Sequence, residues 1–203
     1  DKEEHQDNKY TNIFEGKNVI VIHGESLQTN LMSLSFNGEE VTPNLNKLAE
    51  EGMFFSKFYS PVSVGTSSDA ELMFNTSLLP TKSGTAFVSY SDRTYNATPK
   101  LLGEKGYYTF SMHGNNADFW NRRNMHKSLG YDRFYSKTDY NVTEENTVGL
   151  GINDYAFFDQ SVDKLKKIAK KHDKWYGMMM MLSNHTPFSE VCLLYTSDAA
   201  DEA

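Results

Sequence analysis

Short apolar runs that end in polar residues alternate with helical patterns along the chain, and this alternation limits the fold more than any other feature. Residues 18–23 (NVIVIH) are apolar and β-branched and stop at Gly24, the pattern of a strand buried in a parallel sheet. Residues 107–113 (YYTFSMH) and 174–185 (KWYGMMMMLSNH) repeat it, and 53–60 (MFFSKFYS) reads as a further strand. Helical patterns lie between. Thr42-Pro43 before NLNKLAEEG supplies an N-cap hydroxyl, proline at the first helical position and Gly52 as a stop. DAELMFNTSLL, TPKLLGEKG, FWNRRNMHKSLG and DYAFFDQSVDKLKKIAKKH follow with helical spacing. Strands alternating with helices predict a three-layer α/β/α fold with a mainly parallel central sheet. Ligands of such sheets sit at the carboxyl ends of the strands. Those ends carry residues 23–26 (HGES), 63–68 (SVGTSS), 113–115 (HGN) and 183–185 (SNH).

The chain has 203 residues, 38% of them hydrophobic and 13% aromatic, enough for one domain with a core. We read residues 1–17 as a polar lead, 18–190 as the domain and 191–203 as an atypical tail, a truncated or foreign end. A formal net charge of -7 leaves no broad basic field for nucleic acid. The single Cys192 excludes an internal disulfide. No run approaches the roughly 20 apolar residues of a membrane span, and the opening DKEEHQDNKY lacks the regions of a signal peptide.

Several residues bear chemistry. Glu25 sits just past a strand, where a carboxylate can face a cleft and hold a hard cation, although a lone loop glutamate is more often solvated. Thr66, Ser67 and Ser68 precede a helix, whose N-terminal N–H groups favour an alkoxide and a phosphate; plain N-capping is the competing explanation. His113, Trp120 and Arg122 offer an imidazole, an indole and a guanidinium fork for a phosphate and a small polyol. His185 at a strand end can bond a phosphate or protonate a leaving oxygen. His23 suits a packing or supporting role. His5, His126 and His172 read as solvated, and Met178 to Met181 as core.

In order along the chain, NVIVIHGESLQ, TPNLNKLAEEG, GTSSDAELMFNTSLLP, SMHGNNADFWNRR and LSNHTPF resemble lipoteichoic acid synthases and related phosphoglycerol transferases. These belong to the alkaline phosphatase superfamily, and the resemblance covers residues 18–188. It implies an alkaline phosphatase-like fold, here C-terminally incomplete, with Glu25 as a metal ligand. The family's nucleophile and metal ligand is a threonine before SDAE, which in this register falls on Ser67, with Thr66 as the rival. His113, Asn115, Trp120, Arg122 and His185 fall in the family's substrate pocket. The implied cofactor is Mn²⁺, or Mg²⁺. The implied reaction moves glycerol phosphate from phosphatidylglycerol to a glycerol-phosphate polymer at the extracellular face of the bacterial membrane, through a covalent enzyme intermediate. Phosphatase, sulfatase or phosphoethanolamine transferase activity on the same fold is the alternative, as is a noncatalytic glycerophosphate-binding domain. The family's membrane helices are expected before residue 1, and its aspartate-histidine metal pair after LSNHTPF. The chain as it stands is therefore expected to be inactive.

Overall fold

The computed structural model describes residues 6–186. Its centre is a four-stranded parallel sheet. In chain order the elements are β1 (Val19–His23), a hairpin of β2 (Ser35–Phe36) and β3 (Glu39–Glu40), α1 (Pro43–Glu51), α2 (Ser67–Thr76), α3 (Ala86–Ser89) and α4 (Thr98–Glu104). Then come β4 (Tyr108–His113), α5 (Arg122–Leu129), β5 (Arg133–Tyr135), a hairpin of β6 (Thr147–Val148) and β7 (Gly151–Ile152), α6 (Asp154–Lys171) and β8 (Trp175–Met180). The sheet order is β1-β8-β4-β5. The parallel sheet expected from the alternation is therefore present, with strands and helices close to where the patterns put them.

β8 is the spine of this sheet. It pairs with β1 from Val19↔Tyr176 to His23↔Met180 and with β4 from Tyr108↔Trp175 to His113↔Met180. Its side chains alternate between two cores, as the pleat requires. Tyr176, Met178 and Met180 join Leu72, Phe87, Met125 and Leu129 from the helices on one face. Met179 joins Phe110, Met112, Ile152, Phe157 and Ile168 on the other. The methionine run is thus core, except that Met181 lies at the rim of a cleft. Gly177 makes the second core possible, because a Cβ there would come within 2.3 Å of the Phe110 ring.

Three local expectations fail. Residues 53–60 form a loop with a turn at 56–57 instead of a strand, and Phe55, Phe58 and Tyr59 are 71–80% exposed. Their β-favouring side chains have no partner strand among the described residues, and β propensity without a partner makes no strand. β1 is covered on one face only: Val19 and Val21 pack inward, whereas Ile20 and Ile22 stay 43% and 59% exposed. Thr42 precedes α1 but does not cap it with its side chain; its hydroxyl donates to the Leu31 carbonyl instead. His5, Cys192 and the 191–203 tail lie outside the described residues.

Candidate functional site

Because His23 and His113 both pair with Met180, three strand ends finish level. A cleft opens there. It is lined by His23, Glu25, Ser67, Glu71, His113, Trp120, Arg122 and His185, among others.

Glu25, half-buried just beyond β1, has both oxygens held by hydroxyls. Ser26 donates to Oε1 at 2.9 Å and Ser67 donates to Oε2 at 2.8 Å. The loop before α2 is braced from inside. Buried Asp69 accepts from the Ser63 and Gly65 backbone N–H groups at 3.0 Å each, and Ser68 donates to the Gly65 carbonyl at 2.7 Å. Gly65 cannot be replaced easily, since a Cβ there would lie 2.3 Å from Asp69 Oδ1. No side chain caps α2. Capping therefore does not account for Ser67, the first residue of the helix, whose hydroxyl reaches across to Glu25. Thr66 beside it is exposed, lies outside the cleft lining and holds φ at 44°, a conformation that costs a non-glycine residue about 1–3 kcal/mol.

On the other side of the cleft Arg122 is 3% exposed, against the usual solvated arginine. Its Nε and Nη2 donate to Glu71 Oε1 at 2.9 and 2.7 Å. Glu71 Oε2 meets His126 Nε2 at 2.9 Å, and His126 Nδ1 meets Ser111 Oγ at 2.8 Å. A carboxylate only accepts, so Nε2 carries the proton and Nδ1 accepts from Ser111. Burial opposes the charge on Glu71, but the Arg122 charge and the hydrogen bonds from His126 and Arg122 outweigh it. They hold the carboxyl well below its usual range. Burial dominates at His126 and pushes its pKa down. The solvated reading of His126 is therefore wrong. Its position was legible: Arg122, Met125, His126 and Leu129 are the buried residues of α5, at the i, i+3, i+4, i+7 spacing of a core stripe. Ser68, Leu72 and Asn75 make the matching stripe on α2, with Glu71 in it.

Trp120 and Arg122 would diverge if residues 119–130 formed one helix, because positions two apart do not share a face. Instead Trp120 and Asn121 adopt left-handed φ values of 55° each, and α5 starts only at Arg122. Asn121 anchors the break by donating to the Phe87 carbonyl and to Ser91 Oγ, each at 2.9 Å. Both residues can then line one cleft.

His113 is buried, and its Nδ1 donates to the Met180 carbonyl at 3.1 Å. Burial, with the nearby Arg122 charge, lowers its pKa to about 3. It is neutral near pH 7, and Nε2 is left as an acceptor. His185 follows β8 on a loop that Asp154 ties to the start of α6, through the Leu182 and Ser183 N–H groups at 2.7 and 3.1 Å. The structure thus brings Glu25, Ser67, His113, Trp120, Arg122 and His185 together. Asn115 is buried outside the cleft lining, with its Oδ1 accepting from the Asn116 N–H at 2.6 Å.

The carboxylate of Glu25 and the hydroxyl of Ser67 are oxygen donors of the kind that Mn²⁺ or Mg²⁺ prefers. Among the described residues no group of three His, Cys, Asp or Glu side chains is placed to hold a metal ion. These residues fit part of a hard-cation site only.

A sequence profile of the sulfatase family matches residues 17–201. The chain belongs to the sulfatase family. Lipoteichoic acid synthase 1 of Bacillus subtilis is 38% identical over 185 residues, which are 89% of this chain and 28% of that protein. The lipoteichoic acid synthase LtaP from Listeria monocytogenes superposes with a TM-score of 0.82 at 32% identity, over 87% of this chain and 43% of that one. A protein of the alkaline phosphatase superfamily from Vibrio parahaemolyticus superposes with a TM-score of 0.72 at 24% identity, over 85% and 41%. The alkaline phosphatase-like fold expected from the motifs is therefore the fold of this sulfatase-family chain, which spans under half the length of these relatives.

Proposed function

We propose that this sulfatase-family chain carries the nucleophile and substrate-binding part of a metal-dependent phosphoglycerol transferase. Such an enzyme would act on phosphatidylglycerol at the extracellular face of a bacterial membrane and extend a lipoteichoic acid-type polymer. The observation that carries this reading is the 2.8 Å hydrogen bond from Ser67 to Glu25, in the same cleft as Arg122, His113, Trp120 and His185.

In this reading Ser67 Oγ attacks the phosphorus. An Oγ–P bond forms, the bond from phosphorus to the diacylglycerol oxygen breaks, and diacylglycerol leaves as an alcohol. Glu25 Oε2, which accepts a hydrogen bond from Ser67, draws its proton off, and His185 protonates the leaving oxygen. Arg122 binds a phosphate oxygen, and neutral His113 accepts from a glycerol hydroxyl through Nε2. His185 then takes the proton of a polymer hydroxyl, whose oxygen bonds the phosphorus as the Oγ–P bond breaks, and Glu25 returns its proton to Ser67 Oγ. Mn²⁺ or Mg²⁺, held in part by Glu25 and Ser67, would supply Lewis-acid stabilisation and favour the alkoxide.

Mass spectrometry after incubation with phosphatidylglycerol and Mn²⁺ tests the reading. The expected result is a glycerophosphate adduct on Ser67, absent from Ser67→Ala, with no multiple turnover. An adduct on Thr66 moves the nucleophile one residue back. Glycerol phosphate binding with no adduct on either residue favours a noncatalytic binding domain.

A further inference from the structure

Arg122 carries five N–H donors, and the structure divides them unevenly. The Nε–H and one Nη2–H are spent on one oxygen of Glu71. Nη1 is buried and has no partner among the described residues, although Arg122 lines the cleft. A buried unpaired donor on a charged group is costly and points to a ligand that the free chain lacks. The partner that fixes the fork is itself fixed. Glu71 is fully buried, it lies 51 residues from Arg122 in sequence, and its second oxygen is held by His126, which is held by Ser111. The carboxylate cannot swing away from the guanidinium without breaking the His126 bond, nor can water replace it.

We infer that Glu71, braced by His126 and Ser111, is a positioning residue that turns Arg122 into a one-sided anion hook with Nη1 presented to the cleft. The nature of the ligand rests on the phosphoglycerol reading, whereas the hook needs only an anion. Glu71 also offsets the guanidinium charge, so the site holds an anion by a directed donor more than by net charge. This gives the proposal a sign that a simple electrostatic role cannot share. Removing the Glu71 charge beside an anion site should tighten anion binding if charge alone matters, and weaken it if orientation matters.

Calorimetric titration of wild type, Glu71→Gln, His126→Gln and His126→Leu with glycerol phosphate and with inorganic phosphate separates these cases. Arg122 Nε–H exchange is followed by NMR in the same samples. Glu71→Gln is expected to weaken both ligands by about tenfold or more. His126→Gln, whose amide can still donate to Glu71, should stay within about twofold of wild type, while His126→Leu falls toward Glu71→Gln. In wild type the Arg122 Nε–H should exchange slowly even without ligand. Equal or tighter binding by Glu71→Gln, or fast Nε–H exchange in wild type, overturns the proposal. If Glu71→Gln does not fold, the His126 pair and the wild-type exchange rate decide. Wild type that takes inorganic phosphate but not glycerol phosphate removes the phosphoglycerol reading and leaves the hook. Wild type that takes neither anion removes the hook.

Discussion

The two sides of the cleft are built differently. On the side of β4 and α5, Arg122, Glu71, His126 and Ser111 form a buried chain of hydrogen bonds wedged between α2, α5 and the sheet. On the side of β1, Glu25 is held, among the described residues, by two serine hydroxyls, and the strand beneath it leaves Ile20 and Ile22 exposed. The first side is a closed structural unit whose geometry is over-determined. The second is held by few contacts and keeps both its carboxylate oxygens in bonds that are easily exchanged. Rigidity thus goes to the guanidinium side of the cleft, and exchangeability to the Glu25 side.

Substitution should expose this contrast. Glu71→Gln is expected to lower unfolding free energy by about 3–5 kcal/mol, because it strands a buried guanidinium. Glu25→Gln should cost less than about 1 kcal/mol, as its partners are exchangeable hydroxyls. Denaturant titration measures both, and similar losses would erase the distinction between the two sides.

Acid should act next, and on the buried side. His113 and His126 both have lowered pKa values in the folded chain, chiefly through burial. Between the unfolded value near 6.5 and the folded value, the unfolded chain binds the extra protons, so stability rises with pH and falls on acidification. For His113, whose folded value is about 3, the loss should reach about 3 kcal/mol at pH 4. Glu71, held far below its usual range, stays ionised in the folded chain, but the unfolded carboxyl begins to take up a proton below about pH 5, so it adds to the decline at the acid end of this window. Thermal unfolding from pH 7 to pH 4 should show the decline, reduced in His113→Gln; an unchanged slope in that variant would mean His113 is not buried neutral.

The smallest effect concerns the β1 edge. Its outer backbone edge, unpaired among the described residues, and exposed Ile20 and Ile22 invite strand-to-strand association. Ile22→Lys should reduce concentration-dependent association in sedimentation while changing stability by only about 0.5 kcal/mol. Association unaffected by that charge would place the sticky surface elsewhere.

Much of this was legible in the sequence because periodicity and strand-end chemistry are local signals. β4 and β8 stand where their apolar runs put them, and Glu25, Ser67, His113 and His185 follow strand ends or a helix start. The failures arose where distant residues decide. Residues 53–60 carry β-favouring aromatics but lack a partner strand, which no local pattern can supply. The burial of His126 was legible from the i, i+3, i+4, i+7 stripe of α5, but its partners Glu71 and Ser111, 55 and 15 residues away, were not. The left-handed break at Trp120 and Asn121 contradicts ordinary propensity for a tryptophan, and its anchor is the Phe87 carbonyl, 34 residues back.

The central place of β8 has a consequence for how the molecule comes into being. Among the described strands of the sheet β1 comes first in sequence and β8 last, and the Asn18 side chain accepts from the Trp175 N–H across 157 residues. On a ribosome, β1 would therefore emerge long before the strand that separates it from β4. Until that strand arrives β4 can pair with β5 only, β1 has no partner strand among the described residues, and the histidines at their tips cannot come level. Parallel pairing over such long loops is slow to nucleate. The level strand ends of the cleft would come together only once β8 is in place.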